Sequence, residues 1–310
     1  MVGNPIFQTG RQVIIYGANG WMGRSAVEYL SGIAPQEVLT DKVLLIGSMQ
    51  SQLVVNDSRF DIVDPSTGFA QIQEGAIFFN AAFLRREFLQ RMTDKEYVKR
   101  NNEISDFAKR ALEEKQIGSF VNLSSGVARN LDPGNKLVSI DLYSNLKKRF
   151  EDEYSQYCSR VGTALINCRL YSISGKHINE FENLALSKFI EQARYRQKIH
   201  ILSPSTRRTY VDSIDLAKVL LTRATAIKSE TFDSGGTLVT MLDLAKSIIR
   251  VLEGGNAEIL LGDESSQDYF GDYQTFNSLA SGMGITLSGL ETQIKNTNRA
   301  FTENKSLNKS

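Results

Sequence analysis

Short apolar runs recur through the first half of the chain at intervals that a helix can bridge. "QVIIY" (12–16), "VLLIG" (43–47), "GAIFFNAA" (75–82), "FVNLSS" (120–125) and "TALINCRL" (163–170) each hold the continuous apolar stretch of a strand buried on both faces. Helical patterns separate them: one from about Met22, a charged one over about 94–115 and another over about 141–160. That alternation predicts a parallel, doubly wound sheet with crossover helices. From Tyr171 onward it weakens into loops, a helix near 180–196, the strand-like "KIHILS", the segment "RRTYVDSIDLAKVLL" and a helix over about 240–253. Residues 1–170 therefore read as one domain and 171–292 as a second, irregular part, with 205–222 returning to the first. The polar stretch 293–310 reads as a flexible tail.

Composition narrows the possibilities. At 310 residues and 41% hydrophobic content the chain can bury a substantial core. Lys and Arg number 36 against 35 Asp and Glu, so no global field is available to hold nucleic acid or an anionic membrane, and any anionic ligand must be held locally. The two cysteines, Cys158 and Cys168, lack the spacing of a thiolate metal site and are too few for a disulfide framework. His177 and His200 have no metal-ligand neighbours at useful spacing, so no metal is expected. No apolar run approaches the roughly 18–20 residues of a membrane span, and the first residues lack a leader pattern. The expectation is a soluble, cytoplasmic protein.

Chemistry enters at residues 16–24, "YGANGWMGR". Gly17, Gly20 and Gly23 stand where the first strand turns into the first helix: Gly17 for the tight turn, Gly20 for close approach of a pyrophosphate and Gly23 for helix–strand packing. Asn19, Trp21 and Met22 belong to the same turn, with Trp21 read as a packing residue at the helix–sheet junction. In "RFDIVD", Asp61 beside Ile62 is placed to accept the amine of an adenine at a strand end, and Asp64 enters the following loop. "YSNLK" sets Tyr143 and Lys147 four residues apart, on one helix face, where an ammonium favours the phenolate and prepares the tyrosine for proton exchange. Upstream, "FVNLSS" ends a buried strand in two serines. Ser125, nearer the carboxyl end, is preferred over Ser124 for holding a substrate oxygen, because ligands bind at that end of an open α/β sheet.

These segments, with "FFNAA", "RNN", "CRLYSISG" and "RRTYVDSIDLA", resemble the extended branch of the short-chain dehydrogenase/reductases, the NAD-dependent epimerase/dehydratase family, whose members mostly act on nucleotide sugars. The resemblance covers about residues 10–250. It implies a Rossmann-type doubly wound parallel sheet that binds NAD(P), with a smaller, irregular C-terminal substrate-binding domain. It further implies that Gly17, Gly20 and Gly23 hold the dinucleotide phosphates, that Asp61 and Ile62 hold the adenine, and that Ala81 forms a wall of the cofactor site. Ser125, Tyr143 and Lys147 would be the catalytic trio, the last two also touching the cofactor. Asn101 falls at the family's helix asparagine and Arg169 at its strand-end arginine. Arg207 or Arg208 would bind a substrate diphosphate, where a planar fork pairs with phosphate oxygens. A homodimer is expected.

The departures carry information too. Leu170 and Ser172 replace the proline and asparagine usual after the arginine, Gly126 and Val127 stand where dehydratases carry an acidic pair, and the loop between Ser125 and Tyr143 is short. A 4,6-dehydratase is disfavoured. After the second strand Gly47 and Ser48 replace the ribose-binding acid of NAD-preferring members, and Arg24 stands past the third glycine as a possible counter-ion, so NADP is slightly favoured over NAD. Epimerase and reductase remain open. The alternatives are an NADPH-dependent reductase of a non-sugar ketone and a non-catalytic dinucleotide-binding regulator.

Overall fold

Parallel pairing sets Ile14 opposite Leu44 on one side and Phe78 on the other, and the sheet grows outward from that register. In the computed structural model, residues 4–56, 58–129, 141–178, 184–195, 198–252 and 257–307 are described. Strands β1 (Val13–Tyr16), β2 (Val43–Ile46), β3 (Ser51–Val55), β4 (Ser58–Val63), β5 (Ile77–Asn80), β6 (Ser119–Ser125) and β7 (Ala164–Leu170) join the strand Glu230–Asp233 in one eight-stranded sheet. Its order is Glu230–Asp233, β7, β6, β5, β1, β2, β4, β3, so the winding reverses between β1 and β5. β1 pairs in parallel with β2 and β5, β2 with β4 and β5 with β6, whereas the β3–β4 hairpin is antiparallel. The doubly wound sheet expected from the apolar runs is therefore present, with β3 as an edge strand that no continuous run announced.

Strand side chains alternate between faces, and both faces here are apolar. Ile14, Leu44, Ile46, Phe78 and Phe120 pack with Tyr97, Ala108 and Leu112 of the helix Asp94–Glu114 and with Leu146, Phe150 and Tyr154 of the helix Leu142–Val161. Their strand neighbours Ile15, Leu45, Phe79 and Val121 are equally buried and point the other way. Thr93 caps the first of these helices on Glu96 N, and Asp141 caps the second on Ser144 N at 2.8 Å. Gly162, in the left-handed conformation at φ +74°, ends it.

The chain divides into two compact units, Met1–Arg169 with Ala217–Phe232, and Leu170–Leu216 with Asp233–Ser310. The segment that returns to the first unit is thus 217–232; residues 205–216, expected to return with it, belong to the second. Arg11 ties the returning segment down, donating to Gly75 O (2.5 Å), Ser119 Oγ (3.0 Å) and Ala224 O (3.3 Å), while Ser119 Oγ donates to Ala224 O at 2.7 Å. In the second unit, Arg207–Asp212 pairs antiparallel with Thr237–Thr240 and parallel with Ser172–Ser174. A separate two-stranded sheet joins Ile199–Ile201 to Ile259–Leu261.

The expected tail is a correction. Residues Leu290–Leu307 form a helix, and Ile294 and Phe301 lie in the core of the second unit with Leu244, Ile248 and Ile190. Ile294, Thr297 and Ala300 are buried at helical spacing, a stripe that the polar average of the segment hides. Residues 308–310, the short loop expected between Ser125 and Tyr143 (apart from its ends) and residues 180–183 and 196 of the helix expected near 180–196 lie outside the described residues. Because Ile294 is fully buried, Ile294→Ala should cost about 2–5 kcal/mol of unfolding free energy. Urea unfolding followed by circular dichroism measures it, and a loss below about 0.5 kcal/mol, the scale of a surface change, would restore the tail.

Candidate functional site

The three glycines of the first turn are required for different reasons. Gly17 follows the last residue of β1 at φ +88°, and a Cβ there would meet Ala82 N at 2.7 Å and Ala81 C at 2.8 Å. A Cβ on Gly23 would come within 2.3 Å of Gly17 O. Protein packing therefore accounts for the first and third. Among the described residues, a Cβ on Gly20 would approach one atom, Gly17 O, in a tight contact at 3.2 Å. Packing within the chain leaves the side of Gly20 open, as a backbone that a ligand must approach closely would require. Gly20 also caps the helix Trp21–Ser31 with no side-chain hydrogen bond, and no acidic residue occupies the first turn. The positive end of that helix is thus unopposed, a setting that favours phosphate. Met22 and Gly23 are buried, Trp21 is half-buried, and Ala81 extends the β1–β5 ladder by donating to Tyr16 O at 2.8 Å.

At the end of β2, Gly47 is crowded, since a Cβ would meet Ile62 Cγ2 at 2.7 Å and Asn19 Nδ2 at 3.3 Å. This gathers Asn19 and Ile62 beside the exposed Ser48. Asn19 Nδ2 donates to Ser51 Oγ at 3.2 Å, and the exposed Arg24 donates through Nε to Asn19 O at 3.1 Å. Asp61 is not at the strand end. It lies two residues short, exposed, and accepts from Gln52 across the β3–β4 hairpin at 3.0 Å. Asp64 is the residue that follows β4; it caps the helix Pro65–Gln71, and hydrogen bonds from Ser66, Thr67 and Gln50 hold its carboxyl well below the ordinary range.

β6 ends in the two serines, and the structure distinguishes them. Ser124 Oγ donates to Glu151 Oε2 at 2.8 Å, whereas buried Ser125 has no such bond among the described residues. Tyr143 and Lys147 share a face of the helix Leu142–Val161, and Lys147 Nζ donates to Leu123 O of β6 at 2.9 Å. Lys147 is half-buried, and burial lowers its ammonium to about 7. Beside it lies a small, partly open pocket of about 10 Å³, the size of one water, lined by Asn80, Ser105, Asn122 and Lys147 among others. Asn80 and Ser105 are buried there beside the Tyr154 phenol, which hydrogen-bonds to both side chains.

Asn101 is fully buried, and both ends of its amide are engaged: Oδ1 accepts from Leu84 N at 2.9 Å and Nδ2 donates to Tyr97 O at 3.0 Å. It anchors the segment after β5, which the sequence alone had not implied. Two further residues were missed. Glu151, one helical repeat beyond Lys147, receives Arg169 through Nε (3.1 Å) and a second guanidinium nitrogen. Burial raises this carboxyl, but donors from Arg169, Asn167 and Ser124 outweigh it and leave the group below its ordinary value. The signal was legible: Tyr143, Lys147 and Glu151 fall at i, i+4 and i+8. Phe83, immediately after "NAA", lies with its ring centroid 3.8 Å from Lys147 Nζ and 5.6 Å from the Tyr143 ring; no periodic pattern marks it.

In the second unit the neighbouring arginines part company. Arg207 is exposed and engaged by Asp268, through Nε at 2.9 Å and a second nitrogen at 2.6 Å. Arg208 is half-buried, its Nε has no partner, and its guanidinium lies 5.9 Å from the centroid of the Tyr269 ring. Among the described residues no group of three His, Cys, Asp or Glu could hold a metal ion, and no helix is long and apolar enough to cross a membrane.

A family model described as the NAD dependent epimerase/dehydratase family matches residues 13–234. No curated protein matches. Among solved structures, the chain is similar to UDP-N-acetylglucosamine 4-epimerase from Methanobrevibacter ruminantium M1 in complex with UDP-N-acetylmuramic acid, at 16% identity and a TM-score of 0.74 over 95% of this chain and 99% of that one. It is similar to UDP-glucose 4-epimerase from Thermotoga maritima with UDP-glucose (16% identity, TM-score 0.71, 95% and 99% covered). The dTDP-glucose 4,6-dehydratase DesIV from Streptomyces venezuelae with NAD bound is comparably close (15% identity, TM-score 0.71, 96% and 98% covered). At these identities the likeness is one of fold.

The glycine geometry separates two variants. Gly20→Val should still fold, at a cost of about 1 kcal/mol from the poorer N-cap and the close Gly17 O, yet abolish dinucleotide binding in calorimetry, while Gly23→Ala should cost about 1–3 kcal/mol through overpacking. Unchanged dinucleotide affinity in Gly20→Val would remove the turn as a phosphate site.

Proposed function

Because the chain belongs to the NAD-dependent epimerase/dehydratase family, we propose that it uses NAD(P) to transfer hydride to or from a sugar carbon of a nucleotide sugar, acting as an epimerase or a reductase. The observation that carries the reading is the glycine turn, where two glycines are required by packing and Gly20 alone is left open at an uncapped helix N-terminus. A pyrophosphate fits that cradle, and Gly17, Asn19, Gly20, Trp21, Met22 and Gly23 would hold it with Ala81 alongside. When bound, the nicotinamide supplies or accepts the hydride.

The chain's own residues handle the proton and the oxygen. Tyr143 Oη gives or takes the proton at the reacting oxygen, and Ser125 Oγ, free of the bond that occupies Ser124, donates to the same atom. The Lys147 ammonium favours the phenolate of Tyr143; with its own proton held near neutral pH, it can share in the exchange. NADP is favoured over NAD by the exposed Arg24 and by the run Gly47–Ser51, which offers no carboxylate to repel a 2′-phosphate. Asp61 and Ile62 remain the candidates for the adenine side. Arg208, not Arg207, is the better candidate for a substrate diphosphate, because Asp268 already occupies Arg207. That loss of one arginine also favours a second reading, reduction of a non-sugar ketone, which needs no diphosphate contact.

Turnover of a panel of UDP, GDP, CDP and dTDP sugars with NAD and NADPH tests the reading, and net consumption of cofactor separates reduction from epimerisation. Tyr143→Phe should lower kcat far more than tenfold, beyond about 1.4 kcal/mol of barrier, with dinucleotide affinity retained; activity within tenfold would remove the tyrosine from its role. Arg208→Ala should raise KM for the nucleotide sugar with kcat little changed, a loss of about 1.5–3 kcal/mol, and Arg207→Ala should do less. If both behave as the unmutated chain and none of the four nucleoside diphosphates competes, the non-sugar reading replaces this one.

A further inference from the structure

Phe83 meets both candidate proton-handling groups at once. The Lys147 ammonium lies 3.8 Å from its ring centroid, inside the range of a strong cation–π contact. The Tyr143 ring stands edge-on to it at 5.6 Å and 89°. The ring is itself held in place: Leu84 N donates to Asn101 Oδ1 at 2.9 Å, Tyr97 Oη donates to Leu84 O at 2.6 Å, and the Tyr97 and Phe150 rings lie 6.5 and 6.1 Å away. Both clamping residues are buried in the helix Asp94–Glu114. The segment after β5 thus has one backbone position fixed from outside, and the residue just before that position is the one aimed at Tyr143 and Lys147.

We infer that Phe83 is a positioning residue for the Tyr143–Lys147 pair, its ring face holding the ammonium against Leu123 O and shielding it from water while its neighbouring contacts hold the phenol. The inference rests on the reading of Tyr143 and Lys147 given above. It assigns Asn101 and Tyr97 a task as well, since their bonds to Leu84 set the ring.

The ring acts on the lysine in two opposing ways. Excluding water disfavours the ammonium, and the π face favours it. Burial lowers the ammonium from the lysine norm of 10.5 to about 7, a far larger change than the roughly half to one and a half pH units that a cation–π contact could add. Exclusion of water therefore dominates. Among the described residues, Asp141, which precedes the helix, is paired with Arg86, and the buried groups beside the lysine are displaced from 7. Glu151, on the same helix, is paired with Arg169 of β7 and sits below the carboxylate norm, while the Tyr97 and Tyr154 phenols are raised by burial, Tyr154 to about 12. β5 and β6 face the lysine with Asn80, Asn122 and the Leu123 carbonyl, none of which titrates.

The two effects are separated by two substitutions. NMR titration of the full chain with labelled lysine, Lys147 assigned through Lys147→Met, should give a midpoint near 7 before any change. Phe83→Leu keeps apolar cover and removes the π face, so the midpoint should fall by about half a unit to one unit. Phe83→Ala admits water, so the midpoint should rise toward the lysine norm. Shifts of opposite sign support the inference; shifts of the same sign, or none, overturn it. If Phe83→Ala fails to fold, Phe83→Leu decides, with a fall in support and an unmoved or raised midpoint against. A midpoint near the lysine norm in the unmutated chain also overturns it. The titration needs no substrate, so failure of the nucleotide-sugar reading shows separately, as absence of turnover in the unmutated chain, and leaves the lysine shifts to be judged alone.

Discussion

The buried carboxylate of Glu151 is the constraint on which the geometry of the first unit turns. A helix packed on a sheet by apolar contacts alone can rotate or slide at modest cost, because dispersion is not directional. A charge beneath it cannot. Removed from water, Glu151 must find donors of its own, and it finds them at fixed points: Arg169 near the end of β7 and Ser124 near the end of β6. The pair adds little net stability, since desolvation consumes most of the Coulombic gain, but any register of the helix that missed these donors would leave an unpaired buried charge. With the phase of the helix set there, Lys147 one turn earlier reaches Leu123 O, and Tyr143 a turn before that meets the Phe83 ring.

A second constraint, of space and not charge, operates where the sheet reverses its winding. β1 and β5 are neighbours, and the turn after β1 passes so close to Ala81 and Ala82 that Gly17 has no room for a side chain. The helix that follows is drawn against the same turn at Gly23. Close packing on two sides leaves the third side, at Gly20, as the direction in which the helix N-terminus can be approached. The carboxyl ends of the parallel strands β1, β2, β5 and β6 lie along the edge where this reversal occurs, which is why the turn, Ala81 and the segment leading to Phe83 can be set by one arrangement of backbone.

How much of this was legible depended on the range of the interaction. The strands β1, β2, β5, β6 and β7 follow from their apolar runs, because burial on both faces of a parallel sheet demands them and the demand is local. The Tyr143–Lys147 face and the glycine turn were legible for the same reason, being short spacings with a geometric meaning. The three glycines nevertheless look alike as letters, and only the atoms around them separate two packing glycines from one that packing does not explain. Ser124 and Ser125 are adjacent, as are Arg207 and Arg208; what distinguishes the members of each pair is a partner 27 residues away in one case and 61 in the other. The helix Leu290–Leu307 was hidden by averaging, since a few buried positions such as Ile294 and Phe301 anchor a segment whose remaining residues are polar. Asp61 was misplaced because β4 extends two residues farther, where Ile62 and Val63 pair in parallel with Leu45 and Ile46 of β2, a pairing that no local pattern marks.

Contrasts of this kind suggest how a site separates itself from the fold that carries it. Folding leaves few buried polar groups unpaired, and each one that persists needs a cause. Asn101, Glu151, Arg169 and Arg207 are polar residues the resemblance or the helix spacing would have offered to a ligand, and the fold has already used them, with Leu84, Tyr97, Arg169, Glu151 and Asp268 as their partners. Among the described residues the buried Nε of Arg208 remains without a partner, and the side of Gly20 is filled by no side chain. Leaving such groups unpaired costs about 1–3 kcal/mol each in a buried setting, a cost that a fold of marginal stability retains where a water or a ligand offsets it. Chemistry in this chain is therefore better sought among the groups its own structure has left unused than among those that match a pattern.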